Sequence, residues 1–226
     1  MRIIEKFKRV FHSLSCFLFP ERCPFCRSLV KEGEPACDKC KKDFPINGYT
    51  YGVGGGYRCC SPLLYDGKYK RAVLRYKFRD KRQYSMKFAQ LMFDQIMKSY
   101  PDFIFDCITY VPMYEEDQKE RGFNQCELLA NDLSKLMKIP CKTLLKKHKK
   151  TNHQHNLKTY FERKKNLKGA FSVISKEEIN GKSILLIDDI VTTGSTLAEC
   201  IKTLNKGNPS YIATASVLSA LRIYKP

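Results

Sequence analysis

The sequence predicts an α/β fold, a parallel sheet flanked by helices and preceded by a small four-cysteine module. Three observations lead there. The run Ile184–Ile187 is short, continuous and apolar, as a strand buried on both faces of a parallel sheet must be, and it ends in Asp188 and Asp189. Two further β-rich runs, Cys107–Val111 and Tyr211–Val217, alternate with segments of helical periodicity, and the helix between Ile187 and Tyr211 would make a right-handed βαβ crossover. Near the N-terminus stand two C-x-x-C pairs, Cys23/Cys26 and Cys37/Cys40, separated by ten residues.

A chain of 226 residues can bury one substantial core plus a small accessory module, and 43% hydrophobic residues argue against global disorder. The net charge of +18 points to an anionic partner, nucleic acid before a membrane surface, against the plainer reading of lysine-rich solvated surfaces. No apolar run reaches transmembrane length. Free cysteines and a start that lacks a cleavable export pattern favour the reducing cytoplasm as the expected location.

Taken in order, residues 3 to 18 carry Ile3, Phe7, Val10, Phe11, Leu14 and Leu18 at helical spacing with Lys6, Lys8 and Arg9 opposite. That is an amphipathic helix over 1–18, which packs on the main domain or lies on a membrane. The region 19–60 is a metal module and linker. Cys23, Cys26, Cys37 and Cys40 bring four thiolates to tetrahedral geometry, which suits a structural Zn2+ with no open coordination position. Gly48–Tyr57 is rich in glycine and tyrosine and is expected to be a flexible link, and Cys59 and Cys60 are expected to be non-ligands.

The main domain covers 61–226. P-L-L-Y-D opens it as a strand. Between Asp66 and Lys87 nine Lys/Arg face two Asp, with Ala72, Val73, Tyr76 and Phe78 as the apolar side of a helix, and Met86–Met97 continues as a second helix. After Cys107–Val111, Tyr114–Gly122 is strongly polar and is expected to be mobile. Arg121 either holds a phosphate, as a guanidinium binds phosphate bidentately, or pairs with Glu115 or Glu116. Phe123–Met137 is a helix with Leu128, Leu129, Leu133 and Leu136 inward. Cys141–Lys168 has ten Lys/Arg against one Glu, a net +9. With His148, His153 and His155 it forms a basic loop that closes on substrate or grips a phosphodiester backbone. Tyr160 and Phe161 stack on bases or pack in the core.

The site itself is expected after Ile187. Thr192, Thr193, Gly194, Ser195 and Thr196 precede a helical pattern of Leu197, Cys200, Ile201 and Leu204. A loop opening onto a helix N-terminus offers unpaired N–H groups and a positive dipole end to a phosphate. Asp188 and Asp189 suit ribose hydroxyls about one sugar away, so the two features together describe a ribose 5-phosphate site.

I-D-D-I-V-T-T-G-S-T resembles the phosphoribosyl pyrophosphate motif of type I phosphoribosyltransferases. R-G-F-N-Q at Arg121–Gln125, V-P-M at Val111–Met113, K-F at Lys77–Phe78, N-L-K-G-A-F at Asn166–Phe171 and T-N-H-Q at Thr151–Gln154, with the cysteine cluster, are similar to the ComF family. The resemblance implies a type I phosphoribosyltransferase-like sheet behind a zinc-ribbon-like module. It places pyrophosphate on the turn Val111, Pro112, Met113, and Mg2+ with the phosphoribosyl pyrophosphate. Asp188, Asp189, Arg121 and Lys77 are then the catalytic candidates, the last two on the leaving group. It further implies a role in natural transformation, with single-stranded DNA and competence-machinery proteins as partners. A metabolic phosphoribosyltransferase with no DNA role, its acceptor unread from the sequence, is the alternative. A non-catalytic scaffold is the third reading.

Overall fold

The computed structural model describes residues 20–79, 81–150 and 166–220. The helix expected over residues 3–18, the T-N-H-Q stretch, His153, His155, Tyr160 and Phe161 lie outside them.

Among the described residues the main sheet has six strands. Strand β7 (Ser183–Val191) pairs in parallel with β8 (Tyr211–Ser219), the middle strand, on one side and with β4 (Cys107–Tyr110) on the other. Ile184, Leu185, Leu186 and Ile187 are all fully buried, the consequence of covering both faces. The period of two sorts them: Leu185 and Ile187 pack with Val73, Phe88 and Leu129, while Ile184 and Leu186 pack with Leu197, Ile201 and Leu204. The first set belongs to helices α2 (Gly67–Phe78), α3 (Ser85–Ser99) and α5 (Gln125–Met137), the second to α6 (Ser195–Leu204). Each such side chain contributes about 1.5–3 kcal/mol by leaving water.

The sheet continues beyond β8 through β2 (Tyr57–Ser61) and β1 (Tyr49–Gly54), with the two-residue β3 (Leu63–Leu64) also beside β8. The flexible link expected at Gly48–Tyr57 is therefore an antiparallel hairpin, and β2 runs across the 60/61 boundary to join the parallel sheet. Tyr51 and Val53 are buried while Thr50 and Gly52 are exposed, the alternation of a half-buried strand. Cys59 and Cys60 lie buried in β2, Cys59 beside Tyr51 and Ser216, and neither belongs to the four-cysteine group.

Two more expectations are corrected. Tyr114–Gly122, expected to be mobile, contains helix α4 (Glu115–Arg121). It has no buried residue, and is held by acids in its first turn, bases in its last, and Gly122 as a left-handed cap at φ 82°. Phe78, assigned to the apolar side of α2, points outward at 56% exposure, while Ala72, Val73 and Tyr76 are fully buried. The short α1 (Asp38–Lys41) lies in the cysteine module. A separate two-stranded antiparallel sheet pairs β5 (Leu145–Lys147) with β6 (Phe171–Val173).

Candidate functional site

Strand β7 outruns β4. Its last partner on that side is Ile187, opposite Tyr110, while pairing with β8 continues to Val191. Asp188 and Asp189 thus lie within β7 but past the end of β4, where an open α/β sheet receives ligands. Both are buried, at 7% and 3% exposure.

Each acid is held by its own backbone neighbourhood. Asp188 Oδ1 accepts the Asp189 N–H at 2.8 Å, and Asp189 Oδ1 accepts the Ile190 N–H at 2.7 Å. Lys77 from α2 stands 2.8 Å from Asp189 Oδ2, and the Cys126 thiol from α5 donates to Asp188 Oδ1 at 3.5 Å. Burial, then the charge of Asp189, pushes Asp188 up to about 7. Burial pulls Lys77 down, but the charge and hydrogen bond of Asp189 outweigh it and the amine ends above its usual value. Burial and both carboxylates push the Cys126 thiol up, which keeps its proton in place as a donor. Cys126 is a site residue that the sequence analysis did not single out. Its place just after R-G-F-N-Q was the available signal.

The loop that follows is built for close packing. Gly194 caps α6 at φ 73°, and a Cβ there would sit 3.3 Å from Val53 Cα. Glycine is needed first because the loop lies against the β1 backbone, a reason additional to phosphate approach. The Thr193 and Ser195 hydroxyls bond each other at 2.9 Å. Thr192 and Thr196 flank them half-buried at the positive end of a ten-residue helix.

Val111 donates its N–H to Ile187 O at 2.9 Å and accepts from Asn124 Nδ2 at 3.2 Å, so the turn Val111, Pro112, Met113 is tied to both β7 and the start of α5. Pro112 and Met113 line a cavity of about 650 Å3 that also receives Tyr110, Glu127, Lys119 and Lys147. Arg121 does not pair with Glu115, which bonds Lys119 instead. It donates to Gln125 Oε1 at 2.8 Å and lies over the Phe78 ring, 5.0 Å from its centroid. Lys77, Asp188 and Asp189 therefore form one cluster continuous with Thr192–Thr196, and Arg121 stands at its rim.

The four cysteines converge as well. The Sγ atoms of Cys23, Cys26, Cys37 and Cys40 lie within 4.8 Å of one another, with Cys26 and Cys37 at 3.4 Å. Four thiolates about 2.3 Å from one zinc stand about 3.8 Å apart, so the set fits Zn2+. Ser28 helps draw Cys26 down to about 6, whereas burial pushes Cys40 up to about 12, a cost that a bound cation offsets. The module is fastened to the main domain by Lys87, only 7% exposed, which donates to Glu34 O at 2.7 Å and pairs with Glu21. Phe25, between two of the cysteines, packs edge-on against Phe44 and Tyr69, at 5.4 Å from each ring.

The fold and these two clusters define a type I phosphoribosyltransferase fold with an N-terminal zinc-ribbon module. The Phosphoribosyl transferase domain family matches residues 124–226, and the Double zinc ribbon domain family matches residues 14–50. Competence protein F of Haemophilus influenzae is 31% identical over 212 residues, 83% of this chain and 92% of the relative. Competence protein ComFC of Bacillus subtilis is 31% identical over 161 residues, 70% of this chain and 62% of the relative. DNA utilization protein YhgH of Escherichia coli is 36% identical over 100 residues, 44% of this chain and 43% of the relative. The chain belongs to the ComF family. Among the described residues no helix is long and apolar enough to cross a membrane.

Proposed function

We propose that this protein binds phosphoribosyl pyrophosphate, or a related ribose phosphate, as its Mg2+ complex, and serves the uptake of single-stranded DNA from the cytoplasmic side. The observation that carries the ligand is the buried pair Asp188 and Asp189 running directly into the Gly194-capped N-terminus of α6. The 5-phosphate takes the N–H groups and hydroxyls of Thr192–Thr196. Asp188 and Asp189 accept from the ribose hydroxyls, and the turn Val111, Pro112, Met113 faces the pyrophosphate.

Carboxylates are the hard oxygen donors Mg2+ takes, and Asp188 and Asp189 would hold it by way of the ribose hydroxyls, where it would neutralise pyrophosphate charge. Lys77 and Arg121 supply further positive charge to a departing pyrophosphate, so the chain's part in any transfer is electrostatic stabilisation. In the free protein Lys77 neutralises Asp189 instead.

DNA uptake is supported by the names of the relatives, two competence proteins and a DNA utilization protein, and by the net +9 of residues 141–168. Competence-machinery proteins are then natural partners, with the closed zinc module as a docking or folding element. A second reading, a metabolic phosphoribosyltransferase, is favoured by the cavity beside Met113, which has room for a base or amine acceptor. Calorimetric titration of Mg2+–phosphoribosyl pyrophosphate with and without a single-stranded oligonucleotide separates the two. Binding altered by the oligonucleotide supports the uptake role; tight binding indifferent to it, with turnover of one acceptor, supports the metabolic enzyme.

A further inference from the structure

Resting on the single-stranded DNA reading, we propose that Phe78 and Arg121 form a stacking platform for one base of the strand, set at the rim of the Asp188–Asp189 cluster. The helix that carries Phe78 satisfies its core with Ala72, Val73 and Tyr76, all fully buried, and leaves Phe78 at 56% exposure. The ring is not a bare apolar spot. Arg121 lies over it at 5.0 Å and Lys77 Nζ stands 5.9 Å from its centroid. The Arg121 guanidinium is held in place by Gln125 Oε1, so the pair is ordered before any ligand arrives.

A second pair of the same kind stands beside the first. Arg82 lies over the Phe123 ring at 4.6 Å, and a Cβ at Gly122 would meet Arg82 Nη2 at 3.1 Å. Residues 77–79, 81–82 and 121–123 thus supply two arginine–phenylalanine contacts, with Arg79 and Lys81 exposed. Phe123 is buried, so of the two rings Phe78 is the exposed one.

An exposed aromatic ring amid cations matches the chemistry of a single strand: the π face of a base on the exposed part of the ring, its neighbouring phosphates on the arginines. Such stacking tolerates any base, as a protein that handles DNA of arbitrary sequence requires. Lys77, the neighbour of Phe78, is the residue bonded to Asp189, so a base seated on the platform stands beside the ribose-phosphate site. A strand and a ribose phosphate would then meet at the same edge.

The chain contains no Trp, so Phe78→Trp introduces a single indole whose emission reports stacking. The full-length zinc-loaded protein is titrated with oligothymidylate, with an abasic oligonucleotide of equal length and charge, and with free thymidine monophosphate. Anisotropy of a labelled oligothymidylate measures binding by the unsubstituted chain in parallel. The proposal expects quenching by oligothymidylate and little by the abasic strand. It expects Phe78→Ala to weaken anisotropy-detected binding on the order of tenfold at an unchanged salt slope. It expects Arg121→Gln to reduce that slope by about 0.7. Equal quenching by both strands, or binding unaffected by Phe78→Ala, overturns the platform while the DNA reading stands. Quenching by the mononucleotide alone overturns it in favour of a small-molecule base. No anisotropy change with the unsubstituted chain refutes the DNA reading itself, and the platform with it.

Discussion

Arg75 and Lys77 stand two positions apart on α2 and leave it in different directions. Arg75 donates to the carbonyls of Pro24 and Phe25 in the first cysteine knuckle, and Lys77 pairs with Asp189 at 2.8 Å. Residues at this spacing do not share a helix face, so α2 is a strut between the metal module and the ribose-phosphate site. Displacing the knuckle pulls on the helix that positions Lys77.

Chelating the zinc, or substituting Cys23→Ser with Cys40→Ser, is expected to lower the melting temperature and to loosen α2. Metal analysis should find about one zinc per chain before and none after. Hydrogen exchange over residues 67–78 reports the strut. A zinc-free protein with unchanged melting and unchanged exchange contradicts the structural role.

Removing the Lys77 charge strands a buried carboxylate. Lys77→Met is expected to cost on the order of 3 kcal/mol in urea unfolding, since Asp189 is only 3% exposed. Adding Asp189→Asn should restore much of that loss. Additive losses in the double variant would show that the pair is not an energetic unit.

Much of this site was legible in the sequence. The run Ile184–Ile187, the two acids and T-T-G-S-T are local signals, each fixed by neighbours a few residues away. The Lys77–Asp189 and Cys126–Asp188 contacts were not, because they join segments remote in sequence whose meeting is decided by packing around Val73, Phe88 and Leu129. Helix α4 was misread because it buries nothing and so lacks an apolar stripe, although its acidic start, basic end and Gly122 were on view. The β1–β2 hairpin was hidden by its glycines, which diluted the alternation of Tyr49, Tyr51 and Val53.

Affinity for a ribose phosphate should depend on pH through Asp188, pushed up to about 7. The ionised carboxylate is the better acceptor for ribose hydroxyls, so binding strengthens as pH rises through 7 and levels off above. The same raised value makes the group cost stability as pH rises from the ordinary carboxylate range towards 7, because the fold holds the proton more tightly than the unfolded chain. Asp188→Asn removes both dependences. Calorimetry at several pH values, with the ligand's own ionisation subtracted, checks the first, and urea unfolding across the same range checks the second.

Gly194→Ala is expected to weaken phosphate binding at least tenfold and to cost about 1 kcal/mol or more of stability. The positive φ is strained for alanine, and the added Cβ meets the Val53 backbone. Inorganic phosphate and ribose 5-phosphate titrations should lose affinity together. Loss for ribose 5-phosphate alone would move the phosphate away from this loop.

The central claim is that Asp188, Asp189 and the loop after them hold a ribose phosphate. The most direct test titrates Mg2+–phosphoribosyl pyrophosphate calorimetrically into the unsubstituted protein and into the Asp188→Asn/Asp189→Asn variant, with circular dichroism confirming that both are folded. The account predicts saturable binding to the first and none to the second. Equal affinity for both proteins would contradict it.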